Sequence, residues 1–122
     1  AQSEEALAKL GEVSRCIFGS KTVLIFTLDT FEDWRSPIED GITSGVQDVS
    51  IVATHIMLAA WELGVGSCWV NYFSHAQLRK AFSLPDNEKP VLLMPLGYPS
   101  DDSVPSPRHT EKKPLDGTVS YV

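Results

Sequence analysis

The first twenty residues place Leu7, Leu10, Val13 and Ile17 at helical spacing behind a Ser3-Glu4-Glu5 start. There the hydroxyl can accept from the open amides, and the acids suit the positive helix end. With Gly19 as the stop, the pattern predicts one helix of about four turns. No function attaches to this stretch. Residues 22–28, Thr-Val-Leu-Ile-Phe-Thr-Leu, are rich in β-branched side chains and apolar on both faces, as a central strand covered from both sides would be. Residues 29–45 carry Trp34, Pro37, Gly41 and Gly45 without a sustained period. They read as a loop with one helical turn after Ser36-Pro37, and ligand contacts are expected along it.

From Gln47 to Leu63 the pattern changes. Val49, Ile51, Val52, Ala53, Ile56, Met57, Leu58, Ala59, Ala60 and Leu63 leave almost no polar face, and such a helix must be buried nearly all round. At 1.5 Å per residue it is about 25 Å long, more than a chain this short encloses easily, so part of its surface is expected to meet a second copy. Gly64 supplies the left-handed residue that ends it.

Residues 67–70 read as a short strand. Ser74-x-x-Gln77 is a capping box that opens a helix carrying Leu78, Ala81 and Phe82, and Leu84-Pro85-Asp86-Asn87 closes it. Residues 90–96 form a second apolar strand in which Pro95 implies an edge position or a bulge. Pro99, Pro105, Pro107 and Pro114 mark residues 99–122 as an extended arm. It ends in the strand-like run 118–122, placed to add to a partner's sheet.

Composition narrows the function classes. The chain has 122 residues, 43% hydrophobic and 21% charged, which suits one globular domain. Sixteen acidic against 10 basic residues give a net charge of −6, and apart from Lys112-Lys113 the basic ones are scattered, which argues against nucleic acid as a partner. No apolar run approaches the length of a membrane span and the N-terminus does not resemble a signal peptide, so a cytoplasmic location is expected. Cys16 and Cys68 lack metal-ligand spacing and are expected to be reduced and packed, with no metal site.

Several constellations fail as chemistry. Gly64-Val65-Gly66 follows a helix and has Trp69 where a dinucleotide fingerprint needs its third glycine. His55, His75 and His109 lie far apart, and His55, inside the apolar helix, is expected to be a core or interface residue. Ser44, Ser50 and Ser67 have no nucleophile-elbow context. Asp29, Asp33, Glu39, Asp40, Asp101 and Asp102 are expected to be solvated loop acids. Arg108, in the proline-rich arm, is either a surface solubility residue or an anion ligand through its guanidinium fork.

Taken in order, Asp48-x4-Ala53-x-His55-x2-Leu58-Ala59-Ala60-x2-Leu63-Gly64-Val65-Gly66-Ser67-Cys68-Trp69-Val70, then Leu96-Gly97-Tyr98-Pro99 and Arg108, resemble the nitroreductase family over residues 1–115. The resemblance implies an α+β fold with a central, mostly antiparallel sheet flanked by helices. It also implies an intertwined homodimer built on the apolar helix, with the C-terminal arm crossing to the partner and FMN at the interface. Carried over by position, Trp69, Val70, Asn71 and Tyr72 would lie against the flavin ring, a backbone amide near Tyr72 would face its N5, and Arg108 would hold its phosphate. Family members commonly have Gly where Asn71 or Tyr72 stands, and a bulkier residue there is expected either to narrow the substrate pocket or to tilt the contact with the ring. Nothing in residues 1–21 matches the family's Arg-x-Ser-x-Arg-like flavin clamp. The expected organisation is therefore one nitroreductase-like domain, 1–122, lacking that N-terminal segment.

The implied activity is an FMN-dependent oxidoreduction with no essential side-chain acid or base. Hydride passes from NAD(P)H through the flavin to a nitroaromatic, quinone or similar small acceptor. The alternative from another class is a flavin-free dimeric scaffold, or a fragment without catalytic activity. A third is a flavin carrier or flavin-destroying relative.

Overall fold

Along β3 (Glu88–Gly97) successive side chains point to opposite faces of the sheet, and both faces are covered. Leu93 turns to one side, where it packs with Leu10, Val23, Val70 and Leu78; Leu92 and Met94 turn to the other and meet Ala53. The computed structural model describes residues 1–121. It has α1 (Glu4–Val13) and α3 (His75–Phe82) on the first face and α2 (Gly45–Glu62) on the second. The sheet between them is antiparallel in the order β1-β3-β2, with β1 at Thr22–Asp29 and β2 at Gly66–Ser67. This is the α+β arrangement that the family resemblance implies.

The strand roles differ from expectation. β3, not β1, is central, although β1 is indeed covered on both faces. Pro95 sits inside this central strand rather than at an edge or bulge, and the reason lies in the direction of its neighbours' backbone bonds. Val23, opposite Pro95, spends its bonds on the other side: its amide donates to the Ala1 carbonyl (3.0 Å) and its carbonyl accepts from the Ala1 amino group (2.7 Å). The missing N–H of Pro95 therefore faces β2. There the Cys68 amide donates to the Pro95 carbonyl at 3.3 Å, but Pro95 has no N–H to give back. The β2 ladder accordingly stops after Ser67 and resumes only at the Val70–Leu93 bridge.

Helix α1 is shorter than the spacing predicts. Ser14 adopts extended dihedrals (φ −147°, ψ 129°), a short 3₁₀ turn follows at Arg15–Ile17, and Phe18 and Gly19 are left-handed. α2 begins two residues earlier than expected and ends at Gly64 with φ 76°. In the single chain it buries only Gly45 and Ala53, while Ile51, Leu58 and Trp61 along one stripe are exposed. The near-complete burial its composition calls for is not met by this chain's own residues.

Residues 30–44 contain no helical turn after Ser36-Pro37. They fold back as an irregular hairpin, bridged at Arg35 and Thr43, in which the Ser36 hydroxyl accepts from the amides of Ile38 and Glu39. Ser74 caps α3 as expected, its hydroxyl accepting from the Gln77 amide. The arm leaves the body at Gly97, and every residue from Gly97 to Tyr121 is exposed. Of the expected terminal strand, Thr118 forms a turn, residues 119–121 pair with no strand of their own chain, and Val122 lies outside the described residues.

Candidate functional site

The segment leaving β2 is fixed one residue at a time. Trp69 packs on the α2 side of the sheet. Val70 is buried on the opposite side and exchanges both backbone bonds with Leu93, at 2.9 and 3.0 Å. Its part in the Trp69–Tyr72 segment is therefore to hold the backbone, since its side chain is committed to the core. Asn71 and Tyr72 then leave the sheet, both exposed, and neither backbone amide donates to another group among the described residues. Two uncommitted N–H donors thus project from a rigidly held loop.

Tyr72 is held from a distance. The Ser14 hydroxyl donates to its carbonyl at 2.7 Å and accepts from the Cys16 amide at 3.1 Å. Ser14 is the one buried polar residue among the described residues, and these two bonds are what satisfy it. The Arg15 guanidinium lies 4.9 Å from the centre of the Tyr72 ring, within cation–π range. Neither residue is singled out by the sequence pattern, which assigns the first twenty residues no role. The only local hint is a serine where the helical period continues to Ile17.

The segment separates two concavities. On the Trp69 and Asn71 side, a cleft of about 630 Å³ opens where β1 ends and β3 begins, with Pro90, Val91, His75, Arg79 and Lys89 in its wall. On the Tyr72 side a second hollow of about 530 Å³ is floored by the end of α1 and by Ser14 and Arg15. Free amides beside a hollow of this size suit a planar ring with acceptor atoms on its edge. This donor set fits the ring of a flavin.

The phosphate end is different. Arg108 lies in a 3₁₀ turn, Pro107–His109, in the exposed arm, where its backbone amide donates to the Ser106 hydroxyl at 3.3 Å. It lines neither hollow, so the single chain brings together Trp69, Val70, Asn71 and Tyr72 but not Arg108.

Other candidates resolve simply. His55 is exposed on α2 rather than in the core of its own chain, with Nδ1 2.8 Å from the Ile51 carbonyl. Cys16 is half-buried, but Cys68 is exposed rather than packed. Desolvation of its sulfur first, and the Cys16 thiol second, push the Cys68 thiol pKa up, which disfavours the reactive thiolate. Two of the loop acids are structural. Asp33 accepts from the Gly45 amide at 2.7 Å, capping α2. Asp29 accepts from the Asn87 side chain and the Phe31 amide, both at 2.9 Å, and the Asn87 bond leads in lowering its pKa. Among the described residues no group of His, Cys, Asp and Glu gathers to hold a metal, and no helix is long and apolar enough to cross a membrane.

A three-layer α+β body with a sheet-exit loop presenting free amides defines a class of fold and site, and comparison with known proteins gives the family. The Nitroreductase family model matches residues 2–98, and the chain belongs to that family. A solved nitroreductase family protein from Clostridium difficile 630 is 35% identical, with a TM-score of 0.88 over 99% of this chain and 70% of that one. A provisionally named NADH dehydrogenase/NAD(P)H nitroreductase from Methanothermobacter thermautotrophicus is 38% identical over 61 residues, 47% of this chain and 32% of the relative. The chain thus matches about a third of that curated relative's length. A provisionally named nitroreductase from Exiguobacterium sibiricum, solved in complex with FMN, shares the fold at a TM-score of 0.76 and 18% identity, covering 99% and 73% of the two chains.

Proposed function

We propose that this chain forms the flavin-facing body of an NAD(P)H-dependent oxidoreductase that binds FMN as a homodimer in the cytoplasm and reduces a small nitroaromatic, quinone or similar acceptor. The observation that carries the reading is the Trp69–Tyr72 segment: pinned by Leu93 and Ser14, it leaves its last two amides free beside a hollow. Family membership, the relatives' names and the FMN bound to a neighbour of the same fold support it.

When bound, the flavin supplies the redox chemistry, accepting hydride from the nicotinamide donor and delivering it to the acceptor. The protein's part is positional. The Tyr72 amide would donate to an acceptor atom of the ring, at N5 by the family resemblance, and so would favour the electron-rich ring. Trp69, in the wall of the neighbouring cleft, is assigned to the ring by the family resemblance and would there give an apolar wall that keeps water away from the transferred hydride. Arg108, which lines neither hollow of its own chain, is assigned the phosphate by the family resemblance. The proposed dimer covers the exposed Ile51, Leu58 and Trp61 stripe of α2.

The test is a titration of the purified chain with FMN, followed by its visible spectrum, beside Arg108→Ala. Saturable spectral change that weakens in the variant supports the reading. A chain whose spectrum ignores FMN is instead the flavin-free scaffold.

A further inference from the structure

The chain beyond β2 keeps its register against β3 across the gap in the ladder. Ser67 is opposite Leu96, the Cys68 amide donates to the Pro95 carbonyl at 3.3 Å, and Val70 is opposite Leu93. Cys68 therefore stands opposite Pro95. Side chains alternate along such a segment. Trp69 packs on the α2 side and Val70 on the α1 side, which puts Cys68 on the α1 side with Val23, the β1 partner of Pro95.

Cys16 is on that side too, packed against the cluster that contains Val23 and Val70. Its 3₁₀ turn is pinned at both ends. The Ser14 hydroxyl bonds the Cys16 amide and the Tyr72 carbonyl, and the Ser20 hydroxyl donates to the Leu96 carbonyl, next to Pro95. The only two cysteines of the chain thus converge on one end of the sheet. Desolvation first and the Cys16 thiol second raise the Cys68 pKa, and the second influence acts only between close groups. Cys68 is exposed and opens onto a hollow of about 590 Å³. Lys21 stands in its wall, while neither a carboxylate nor any of Trp69–Tyr72 and Arg108 does, so the hollow suits a small anionic reagent and is separate from the flavin contact.

We infer that Cys16 and Cys68 are a redox-active dithiol, closed to a disulfide by a small anionic disulfide of the glutathione class and reopened by the matching thiol. The Cys68 thiolate attacks one sulfur of the oxidant and releases one thiol; the Cys16 thiolate then attacks the Cys68 sulfur and releases the second. The dithiol gives up two electrons and two protons, and the oxidant is reduced to two thiols. Closed, the bond joins the turn after α1 to the residue before Trp69, a covalent counterpart of the Ser14–Tyr72 hydrogen bond. Reversible pairs of this kind act as sensors where thiols are otherwise kept reduced. The raised Cys68 pKa slows the first attack, so the equilibrium is the informative quantity. The inference goes beyond the flavin reading and does not require bound flavin.

The test equilibrates the full chain with glutathione and glutathione disulfide at fixed ratios, folded and in urea, then quenches with acid and reads intact mass after alkylation of free thiols. The expected product is a chain lighter by two hydrogens, with both cysteines protected and no second copy attached, that excess glutathione reverses. Its formation constant should be at least about tenfold larger in the folded chain than in urea, because a fold that holds the thiols together favours their bond. Cys16→Ser, which leaves Cys68 without its partner, should stop at a glutathione adduct. Equal constants in the two states, an adduct that persists in the parent chain, or a disulfide only between copies would overturn the pair. The readout is mass and not turnover, so either result leaves the flavin reading where it stands.

Discussion

The Ser14 hydroxyl donates to the Tyr72 carbonyl at 2.7 Å across 58 residues of sequence, tying the end of α1 to the loop that presents the free amides. Removing it in Ser14→Ala leaves the Tyr72 carbonyl and the Cys16 amide without their partner. The expected cost is about 1 to 3 kcal/mol of stability, read as a lower urea midpoint at unchanged slope. If the loop is the flavin contact, FMN affinity falls as well, whereas Ser14→Thr, which keeps the hydroxyl, retains most of it.

Gly45 admits no side chain without rearrangement. A β-carbon there would stand 2.3 Å from Leu28 Cδ1 and 2.7 Å from the Asp33 oxygen that caps α2. Both groups can move, but only by giving up the cap or disturbing the end of β1. Gly45→Ala is therefore expected to destabilise by about 1 to 3 kcal/mol, despite its better helix propensity. Thermal unfolding against the parent chain checks this.

The long elements were legible in sequence because their causes are local. The apolar runs of α2, β1 and β3 are legible from their length and composition, and the Ser74 cap from its neighbours. The break in α1 was not legible, because what favours it is Tyr72, far away in sequence. Nor was the placement of Pro95, which depends on Val23 turning its backbone bonds toward Ala1. For the site, the resemblance located Trp69, Asn71 and Tyr72 in one segment, but Ser14, Arg15 and the basic wall of Arg79 and Lys89 come together only through topology. Arg108 is readable as an anion ligand, yet it lines neither hollow beside the Trp69–Tyr72 segment.

Asp29 gives a pH dependence with a definite sign. Its carboxylate accepts from Asn87 and Phe31, which hold its pKa below the ordinary 3.8. A folded-state pKa that is depressed contributes stability above the unfolded value, and the contribution is lost as pH falls through the folded one. The stability gap between the parent chain and Asp29→Ala should therefore be constant near neutrality and shrink as pH drops below 3.8. Urea unfolding measured across that range is the check.

The exposed stripe of α2 tests the assembly. Ile51, Leu58 and Trp61 are 56%, 64% and 68% exposed in the single chain, a larger apolar display than scattered surface residues make. If the proposed dimer forms through this stripe, placing charges there, as in Leu58→Glu with Trp61→Glu, is expected to convert it to a folded monomer. An unchanged mass in solution would move the interface elsewhere.

The most direct measurement of the whole account is sedimentation of the chain with FMN, followed simultaneously by protein absorbance and by the visible absorbance of the flavin. The account predicts that the flavin moves with a species of twice the 13.4 kDa chain mass. In the charged α2 variant, flavin should sediment free of the monomer. Flavin that stays free of the parent chain, or that travels with a monomer, would contradict it.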